Sequence, residues 1–279
     1  MKSELTPAQE LVLEKNLVWI FASPRSGTTW LSTQLLSGLT ITMDEPRIGT
    51  FIVPTLQELS NNRKDFFFSD DFKKTWSYFL RKLILNRIYS QFKDLSKIII
   101  IKEPNANLSS LKISESLPNS KFLIILRDGR DVIDSLVSAR TENGWGTKYD
   151  DHPPLSDESR LSFIQLQCKT WVKTMEIIMK AYNSHPKGLR HLVKYEDLRN
   201  NTPKEFEKIL RFLGISKNQL EIDEITEKFS FEKIPAEDKG KGKQQRSATP
   251  GKWKENFSEE EKALIKKLMD QKLREFGYE

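Results

Sequence analysis

Residues 18–31 read Val18-Trp19-Ile20-Phe21-Ala22-Ser23-Pro24-Arg25-Ser26-Gly27-Thr28-Thr29-Trp30-Leu31, an apolar run followed by a basic turn rich in hydroxyl groups. The run has the length of a buried strand, and an amphipathic pattern over residues 28–39 predicts a helix directly after the turn. Backbone N–H groups at the start of such a helix form an anion site. Arg25 adds a fixed positive charge, so we interpret the turn as a cradle for a phosphate-type group.

The spacing of this turn differs from that of a Walker A loop. A Walker A loop requires Gly, four residues and then Gly-Lys-Ser/Thr, whereas here the basic residue Arg25 precedes Gly27. A plain strand-to-helix turn capped by Ser26 or Thr28 has the same pattern. The rest of the chain has to decide between these two interpretations.

Four short apolar runs alternate with segments of helical periodicity, and they cover residues 17–21, 97–101, 122–126 and 189–193. Residues 98–101 and 122–126 of the two middle runs are apolar throughout, which is typical of parallel strands covered on both faces. The pattern therefore predicts an α/β fold of three layers, with a central parallel sheet flanked by helices. The predicted helices are residues 28–39, 72–92, 106–116, 131–141, 159–182, 203–213, 219–228 and 258–276.

The chain has 279 residues, which suits a single domain. We expect residues 1–15 to be an N-terminal extension and residues 258–276 a C-terminal helix. Residues 235–251 are rich in Gly and Lys. They are expected to form a mobile loop that closes over a cofactor, with a linker between domains as the alternative.

The composition narrows the ligands and the location. A net charge of +6 suits an anionic ligand, and the absence of zinc-finger, RNA-recognition or heptad patterns argues against a nucleic-acid partner. Cys168 is the single cysteine, and the three histidines lack ligand-like spacing, so no disulfide and no metal are expected. With no long apolar run and no signal-peptide pattern, we expect a cytoplasmic protein without a membrane partner. No pattern specifies an oligomeric state.

Polar residues follow each apolar run directly, where ligands bind in a parallel sheet. Lys102 follows the second run, Arg127 follows the third, and Tyr195 comes shortly after the fourth. Ser135 lies about two helical turns beyond Arg127, so the two side chains are placed to clamp one phosphate. Each residue also has an ordinary interpretation, as a surface lysine, a capped helix start or a packed aromatic. Their order along one chain favours the ligand site.

In that order and spacing, the chain resembles the sulfotransferases that use 3′-phosphoadenosine 5′-phosphosulfate (PAPS). Residues 24–30 resemble the 5′-phosphosulfate loop of this family, and residues 127–135 resemble its 3′-phosphate motif. Residues 195–198 and the late basic segment 246–254 are similar to further recurrent family segments. The resemblance spans residues 17–276. It implies a P-loop-like nucleotide-binding fold and an enzyme that transfers a sulfuryl group to an acceptor hydroxyl.

The resemblance also implies roles for individual residues. The turn with Arg25 would hold the 5′-phosphosulfate, Trp30 and Phe231 would flank the adenine, and Lys102 would lie beside the transferring group. The 3′-phosphate would be held by the motif at residues 127–135 together with Arg246, and Tyr195 would lie near the adenosine. The implied cofactor-binding residues are Arg25, Ser26, Gly27, Thr28, Thr29, Trp30, Arg127, Ser135, Tyr195, Phe231 and Arg246.

The chain mixes features of the cytosolic branch with those of the tyrosylprotein and carbohydrate branches. Cytosolic members usually carry lysine at the position of Arg25, and their catalytic histidine falls at Pro104. Residues 44–47 instead resemble the segment that carries the catalytic glutamate of tyrosylprotein sulfotransferases, which matches Glu45. The predicted catalytic residues are therefore Glu45, Lys102 and Arg25, with Glu103 as the alternative base.

Two other classes of function stay open at this point. A P-loop kinase for a small metabolite would need a Mg²⁺-binding aspartate and a Lys-Ser/Thr pair in the loop. A non-catalytic basic binding module would show steep salt dependence without any chemistry. The acceptor itself, whether phenol, alcohol, sugar or tyrosine, is not specified. Candidate acceptor-facing residues are Phe66, Phe67, Phe68, Trp76, Phe79, Trp145, Tyr149 and His152.

Overall fold

The computed structural model describes residues 5–49, 70–149, 153–240, 242–243, 245 and 247–279. Its centre is a five-stranded sheet with the order β2-β3-β1-β4-β5, in which every neighbouring pair is parallel. The predicted three-layer fold with a central parallel sheet is confirmed. The strands are β1 (Leu17–Ala22), β2 (Ile41–Asp44), β3 (Ile99–Lys102), β4 (Lys121–Leu126) and β5 (Arg190–Lys194).

Strand β2 is the one that the sequence pattern missed. It has four residues, none of them fully buried, and it lies at the edge of the sheet beside β3. An edge strand of this kind carries polar side chains such as those of Thr42 and Asp44. It therefore lacks the continuous apolar run by which the central strands were recognised.

Helices cover both faces of the sheet, and most of the predicted ones are present within two or three residues. Two segments differ in type, because residues 30–35 form a π-helix and residues 104–109 form a 3₁₀-helix before the next α-helix. The helix predicted over residues 28–39 ends at Leu35. The α-helices are Pro7–Lys15, Lys73–Gln91, Ser110–Ser116, Gly129–Ala139, Trp145–Tyr149, Asp157–Ser184, Tyr195–Asn200, Thr202–Leu213, Gln219–Lys228, Trp253–Asn256 and Glu259–Glu275.

The helix Pro7–Lys15 belongs to the folded domain, although residues 1–15 were expected to be an extension. Leu13 lies in the core with no exposed surface. The carboxylate of Glu14 is wholly buried, forms an ion pair with Arg81 and accepts a hydrogen bond of 2.8 Å from the backbone N–H of Asn119. These contacts fasten the helix to two other parts of the chain. From Leu5 onward, the N-terminal segment is therefore structural.

Two apolar clusters pack against the opposite faces of the sheet. In β1, Trp19 and Phe21 belong to one cluster, and Val18 and Ile20 to the other. All six residues of β1 are buried, which explains its unbroken apolar pattern. Within the described residues, no helix combines the length and the apolar character needed to cross a bilayer.

The register of the strands brings functional candidates together at the carboxyl ends of the strands. Lys102 at the end of β3 is paired with Ile20 of β1 on one side and with Asp44 of β2 on the other. β1 and β4 end close by, so the turn after Ala22 and the motif after Leu126 emerge side by side. The carboxyl ends of the strands are where a parallel sheet of this type binds its ligand.

Candidate active site

The turn after β1 is shaped by two residues in the left-handed backbone region. Arg25 has a φ of 66° and Gly27 has a φ of 82°. A Cβ atom at Gly27 would lie 2.8 Å from Cδ2 of Tyr195, so the turn packs directly against that ring. The hydroxyl of Ser26 is buried and lies 2.8 Å from that of Ser23, which leaves its backbone N–H as the group that Ser26 offers to a ligand.

A cleft of about 170 Å³ opens beside this turn. From the predicted cofactor set, it is lined by Arg25, Gly27, Thr28, Thr29, Trp30, Arg127, Ser135, Tyr195 and Phe231. Sequence reasoning missed other lining residues, namely Gln34, Arg199, Phe229, Ile234 and Gln245. Ser247 and Ala248 complete the lining, so the late segment of the chain reaches the cleft.

Arg127 lies at the back of the cleft in a constrained position. Its guanidinium stacks over the ring of Tyr195, with Cζ 4.3 Å from the ring centroid, and Nη1 donates to the backbone carbonyl of Arg25. Arg127 Nε is buried and has no hydrogen-bond partner among the residues that the structure describes. A buried, unpartnered guanidinium nitrogen is costly unless an acceptor meets it. The site is therefore suited to an anion.

Arg25 and Ser135, which were predicted for opposite ends of the nucleotide, are in direct contact. Arg25 Nε donates to the Ser135 hydroxyl at 3.1 Å. The guanidinium of Arg25 also lies over the ring of Trp145, 4.9 Å from its centroid. Arg25 thus links the turn after β1 to the helix Gly129–Ala139, and the two predicted phosphate positions share one basic wall.

Two glycines fix the position of Trp145. A Cβ atom at Gly146 would lie 2.9 Å from the carbonyl oxygen of Ala139, and a Cβ atom at Gly144 would overlap the same carbonyl. The backbone of this turn therefore packs against the end of the helix Gly129–Ala139. Trp145 is held over Arg25 as a result. No sequence signal beyond the two flanking glycines pointed to this contact.

Aromatic side chains and one further arginine form the other end of the cleft. Trp30 Nε1 donates to the carbonyl of Phe229 at 2.7 Å, which fixes the indole at the rim. The guanidinium of Arg199 lies 5.9 Å from the ring centroid of Phe231, and Arg199 Nε donates to the carbonyl of Ala248 at 3.3 Å. Flat rings with a cation nearby suit a nucleobase. The position of Arg199 one helical turn after Tyr195 is the sequence signal that could have identified it.

Lys102 is buried at the end of β3 between two carboxylates. Its Nζ lies 2.6 Å from Asp44 Oδ1 and 2.8 Å from Glu45 Oε1, and it donates to the Thr29 hydroxyl at 3.3 Å. Burial acts to lower the pKa of Lys102, but the hydrogen bonds and charges of Asp44 and Glu45 outweigh it, so this pKa is raised. Lys102 is therefore a permanent cation that touches the turn lining the cleft. Sequence reasoning missed Asp44.

The two candidate bases, Glu45 and Glu103, have different surroundings. The Glu45 side chain is 51% exposed beside Lys102, so its second oxygen is open to a substrate. Glu103 is wholly buried, and its Oε2 accepts a hydrogen bond of 2.9 Å from the backbone N–H of Ile48. Because neighbouring residues at a strand end point in opposite directions, Glu103 supports the chain after β2. The geometry favours Glu45.

Two other candidates, Trp76 and Phe79, do not enter the cleft. Trp76 is buried beneath Lys112, and Phe79 is exposed on the helix Lys73–Gln91. Tyr149 ends the short helix Trp145–Tyr149. Within the described residues, no group of three His, Cys, Asp or Glu side chains is placed to hold a metal ion. Arg246, Phe66, Phe67, Phe68 and His152 lie outside the described residues.

Tyr195 has a buried hydroxyl that stays protonated. Burial raises the pKa of this hydroxyl, although the nearby charges of Arg127 and Arg199 oppose the shift. The ring carries Arg127 on one face and packs against Gly27. The Tyr195 ring is therefore a rigid support beneath the cleft, held between Arg127 and Gly27.

Comparisons with known proteins agree with this geometry. The model of the sulfotransferase domain family matches residues 15–277. Protein-tyrosine sulfotransferase 2 from Gallus gallus is 26% identical over 212 residues, which cover 73% of this chain and 52% of that protein. This chain thus spans about half the length of that curated relative.

Solved structures show the same fold at low identity. Mouse sulfotransferase SULT7A1 complexed with PAP is 16% identical, with a TM-score of 0.59 and coverage of 93% of this chain and 85% of that chain. Retinol dehydratase in a complex with retinol and PAP is 17% identical, with a TM-score of 0.55 and coverage of 93% and 81%. The sulfotransferase domain from the curacin biosynthetic pathway is 17% identical, with a TM-score of 0.52 and coverage of 94% and 97%. With the family match over residues 15–277 and the P-loop-like nucleotide-binding fold, this chain belongs to the sulfotransferase domain family.

Proposed function

We propose that this protein transfers a sulfuryl group from PAPS to the hydroxyl of an acceptor and releases PAP, adenosine 3′,5′-bisphosphate. One observation carries the proposal. A single cleft joins the turn at residues 24–29 to Arg127 and Ser135, and Lys102 with Glu45 lies beside the turn. The PAP named with two similar structures supports this choice of nucleotide.

The residues of the cleft fit such a nucleotide. Arg127 Nε is buried and lacks a partner among the described residues, so the 3′-phosphate would meet an unsatisfied donor. The backbone at residues 26–29, at the start of a helix, would hold the 5′-phosphate. Trp30 and Phe231 would flank the adenine, and Tyr195 would support the adenosine. Arg246, which lies outside the described residues, stays a proposed contact of the 3′-phosphate.

The chemistry at the transferring end would be divided between a base and two cations. When bound, PAPS supplies a sulfuryl group joined to a phosphate that leaves with negative charge. Glu45 would take the proton of the acceptor hydroxyl onto its exposed oxygen. Lys102 and Arg25 would stabilise the negative charge that develops near Thr29. Lys102 also holds Glu45 in place through their 2.8 Å contact.

Calorimetry separates this proposal from a P-loop kinase. We expect PAP to bind without Mg²⁺ and ATP with Mg²⁺ to bind far more weakly, because the loop lacks the Lys-Ser/Thr pair of a Walker A sequence. Transfer of labelled sulfate from PAPS to phenols, alcohols, sugars and tyrosine peptides then identifies the acceptor. Tight ATP binding with Mg²⁺ and none of PAP would favour the kinase. Salt-sensitive binding of polyanions without transfer would favour a non-catalytic module.

We propose a hydroxyl-bearing acceptor, with tyrosine among the first to be tested. The name of the Gallus gallus relative supports tyrosine, and so does the resemblance of residues 44–47 to the tyrosylprotein sulfotransferase segment. The indole of Trp145, placed over Arg25, also suits a phenol or a sugar ring near the transferring end. An enzyme that sulfates simple alcohols and leaves tyrosine peptides unchanged would contradict tyrosine as the acceptor.

A cytoplasmic location is part of the proposal as well. It is supported by Cys168, the single cysteine of the chain, since one thiol forms no internal disulfide and suits a reducing compartment. Cell fractionation of the full-length protein tests it, and recovery in a secretory compartment would contradict it.

The close packing at Gly27 leads to a testable prediction. Alanine at this position is strained, because φ is 82°, and its Cβ would lie 2.8 Å from the Tyr195 ring. We expect Gly27→Ala to weaken PAP binding at least about 10-fold, since one displaced contact of about 1.4 kcal/mol has that effect. Gly38→Ala is a matched control. Gly38 has a φ of 74°, and an added Cβ would meet nothing within 4 Å. Equal PAP affinity in both variants would contradict the prediction.

A further inference from the structure

We propose that Asp131 is a positioning residue that holds residues 247–253 over the nucleotide cleft and thereby limits how fast the nucleotide leaves. This inference rests on the proposed function, in which the nucleotide is PAPS or PAP. Asp131 lies in the helix Gly129–Ala139, and its side chain points away from the cleft lining toward the late segment of the chain.

The carboxylate of Asp131 is committed to two backbone groups of that segment. Asp131 Oδ2 accepts a hydrogen bond of 2.7 Å from the N–H of Gly251, and Oδ1 accepts one of 3.3 Å from the N–H of Trp253. Asp131 is 2% exposed. Hydrogen bonds to a buried carboxylate are stronger than those between neutral groups. Losing one of these two hydrogen bonds at a buried site should therefore greatly weaken the attachment of residues 247–253 to the helix.

The segment held by Asp131 forms part of the cleft lining. Ser247 and Ala248 line the cleft directly. The carbonyl of Ala248 accepts from Arg199 Nε, which fixes the segment from the opposite side. Ala248 has a φ of 50°, a conformation that a non-glycine residue keeps only when its surroundings hold it. The segment is thus clamped between Asp131 on one side and Arg199 on the other.

The same helix positions the groups proposed for the 3′-phosphate. Ser135 lies one helical turn after Asp131, and Arg127 lies two residues before the helix begins at Gly129. The neighbouring Arg130 stacks on Trp253, with Cζ 4.3 Å from the ring centroid. The helix Gly129–Ala139 therefore carries both Ser135, which lines the cleft, and Asp131, which holds residues 247–253. Loss of the Asp131 hydrogen bonds should therefore free residues 247–253 without displacing Arg127 or Ser135.

The test is the dissociation rate of PAP from the full-length protein, measured by stopped-flow fluorescence or surface plasmon resonance. Asp131→Asn replaces one acceptor oxygen by an NH₂ group that faces a backbone N–H. We expect PAP to dissociate roughly 10-fold to 100-fold faster from this variant, as the loss of a hydrogen bond to a charged group predicts. The association rate should change little, because the wall of the cleft is intact.

A matched control is Glu261→Gln, which makes the same change from carboxylate to amide in the C-terminal helix Glu259–Glu275. Glu261 accepts from the backbone N–H of Ser258 at 2.8 Å and pairs with Arg160, and it does not line the cleft. Its PAP dissociation rate should equal that of the unaltered protein. Equal rates for Asp131→Asn and the unaltered protein would overturn the inference. Faster release from both variants would also overturn it, by showing a general loss of stability.

A second measurement needs no variant, in case Asp131→Asn does not fold. Amide hydrogen exchange at Gly251 and Trp253 in the unaltered protein should slow when PAP saturates the cleft. Bound PAP would contact residues 247–253 and so hold that segment in place. Unchanged exchange with PAP bound would overturn this inference and leave the proposed function standing. If the unaltered protein binds no PAP, the proposed function fails and this inference fails with it.

Discussion

Glu45→Gln is expected to lower sulfuryl transfer by roughly 10²–10⁴-fold, the usual contribution of a general base, while PAP still binds. The carboxylate of Glu45 lies 2.8 Å from Lys102 and is half exposed at the carboxyl edge of the sheet. Glutamine keeps the size and the hydrogen bond to Lys102 but cannot accept the acceptor's proton. The measurement is steady-state transfer from PAPS, combined with calorimetry of PAP.

Two neighbouring carboxylates provide controls for this prediction. Asp44→Asn makes the same chemical change in the other partner of Lys102, at 2.6 Å, and should have a much smaller effect on transfer. Glu103→Gln changes the alternative base, whose carboxylate accepts from the N–H of Ile48, and its effect should fall on stability. An active Glu45→Gln variant together with an inactive Glu103→Gln variant would reverse the assignment.

Lys102→Ala is expected to lower turnover by roughly 10²–10³-fold, or about 2.7–4 kcal/mol of barrier, as is typical for a group that stabilises developing charge. Lys102 is 4% exposed and donates to Thr29 at the rim of the cleft. Its removal takes away one of the two cations proposed for the transferring end. It also leaves Asp44 and Glu45 without the ammonium that pairs with both.

Lys121→Ala is a suitable control for the structural cost of this change. Lys121 is a half-buried lysine at the start of β4, and it donates to the carbonyl of Leu213 at 3.0 Å. Burial lowers the pKa of Lys121, whereas the carboxylates raise that of Lys102. The control should lose some thermal stability and keep its turnover. Normal turnover in Lys102→Ala would remove this residue from the chemistry.

The sequence was sufficient for the central part of the fold. β1 and β4 were recognised because nearly every side chain in them is buried, and the rule that ligands bind at the carboxyl ends of parallel strands then placed Lys102 and Arg127. β2 was missed because an edge strand is only partly buried. The helix Tyr195–Asn200 was missed because six residues are too few for a helical period to show.

The arrangement within the site depended on tertiary contacts that no local pattern contains. Asp44 reaches Lys102 only through the pairing of β2 with β3. The contact of Arg25 with Ser135 joins residues that are 110 positions apart. Asp131 lay inside a motif that was identified for its arginine and serine, so its role as an anchor became visible only with the position of Gly251. Such contacts follow from the topology of the whole sheet.

The most direct test of the account is a crystal structure of the protein with PAP. We expect the 5′-phosphate at the backbone N–H groups of residues 26–29 and the 3′-phosphate at Arg127 Nε and Ser135, with the adenine between Trp30 and Phe231. A nucleotide bound elsewhere, or a cleft that stays closed by its own side chains at saturating PAP, would contradict the central claim.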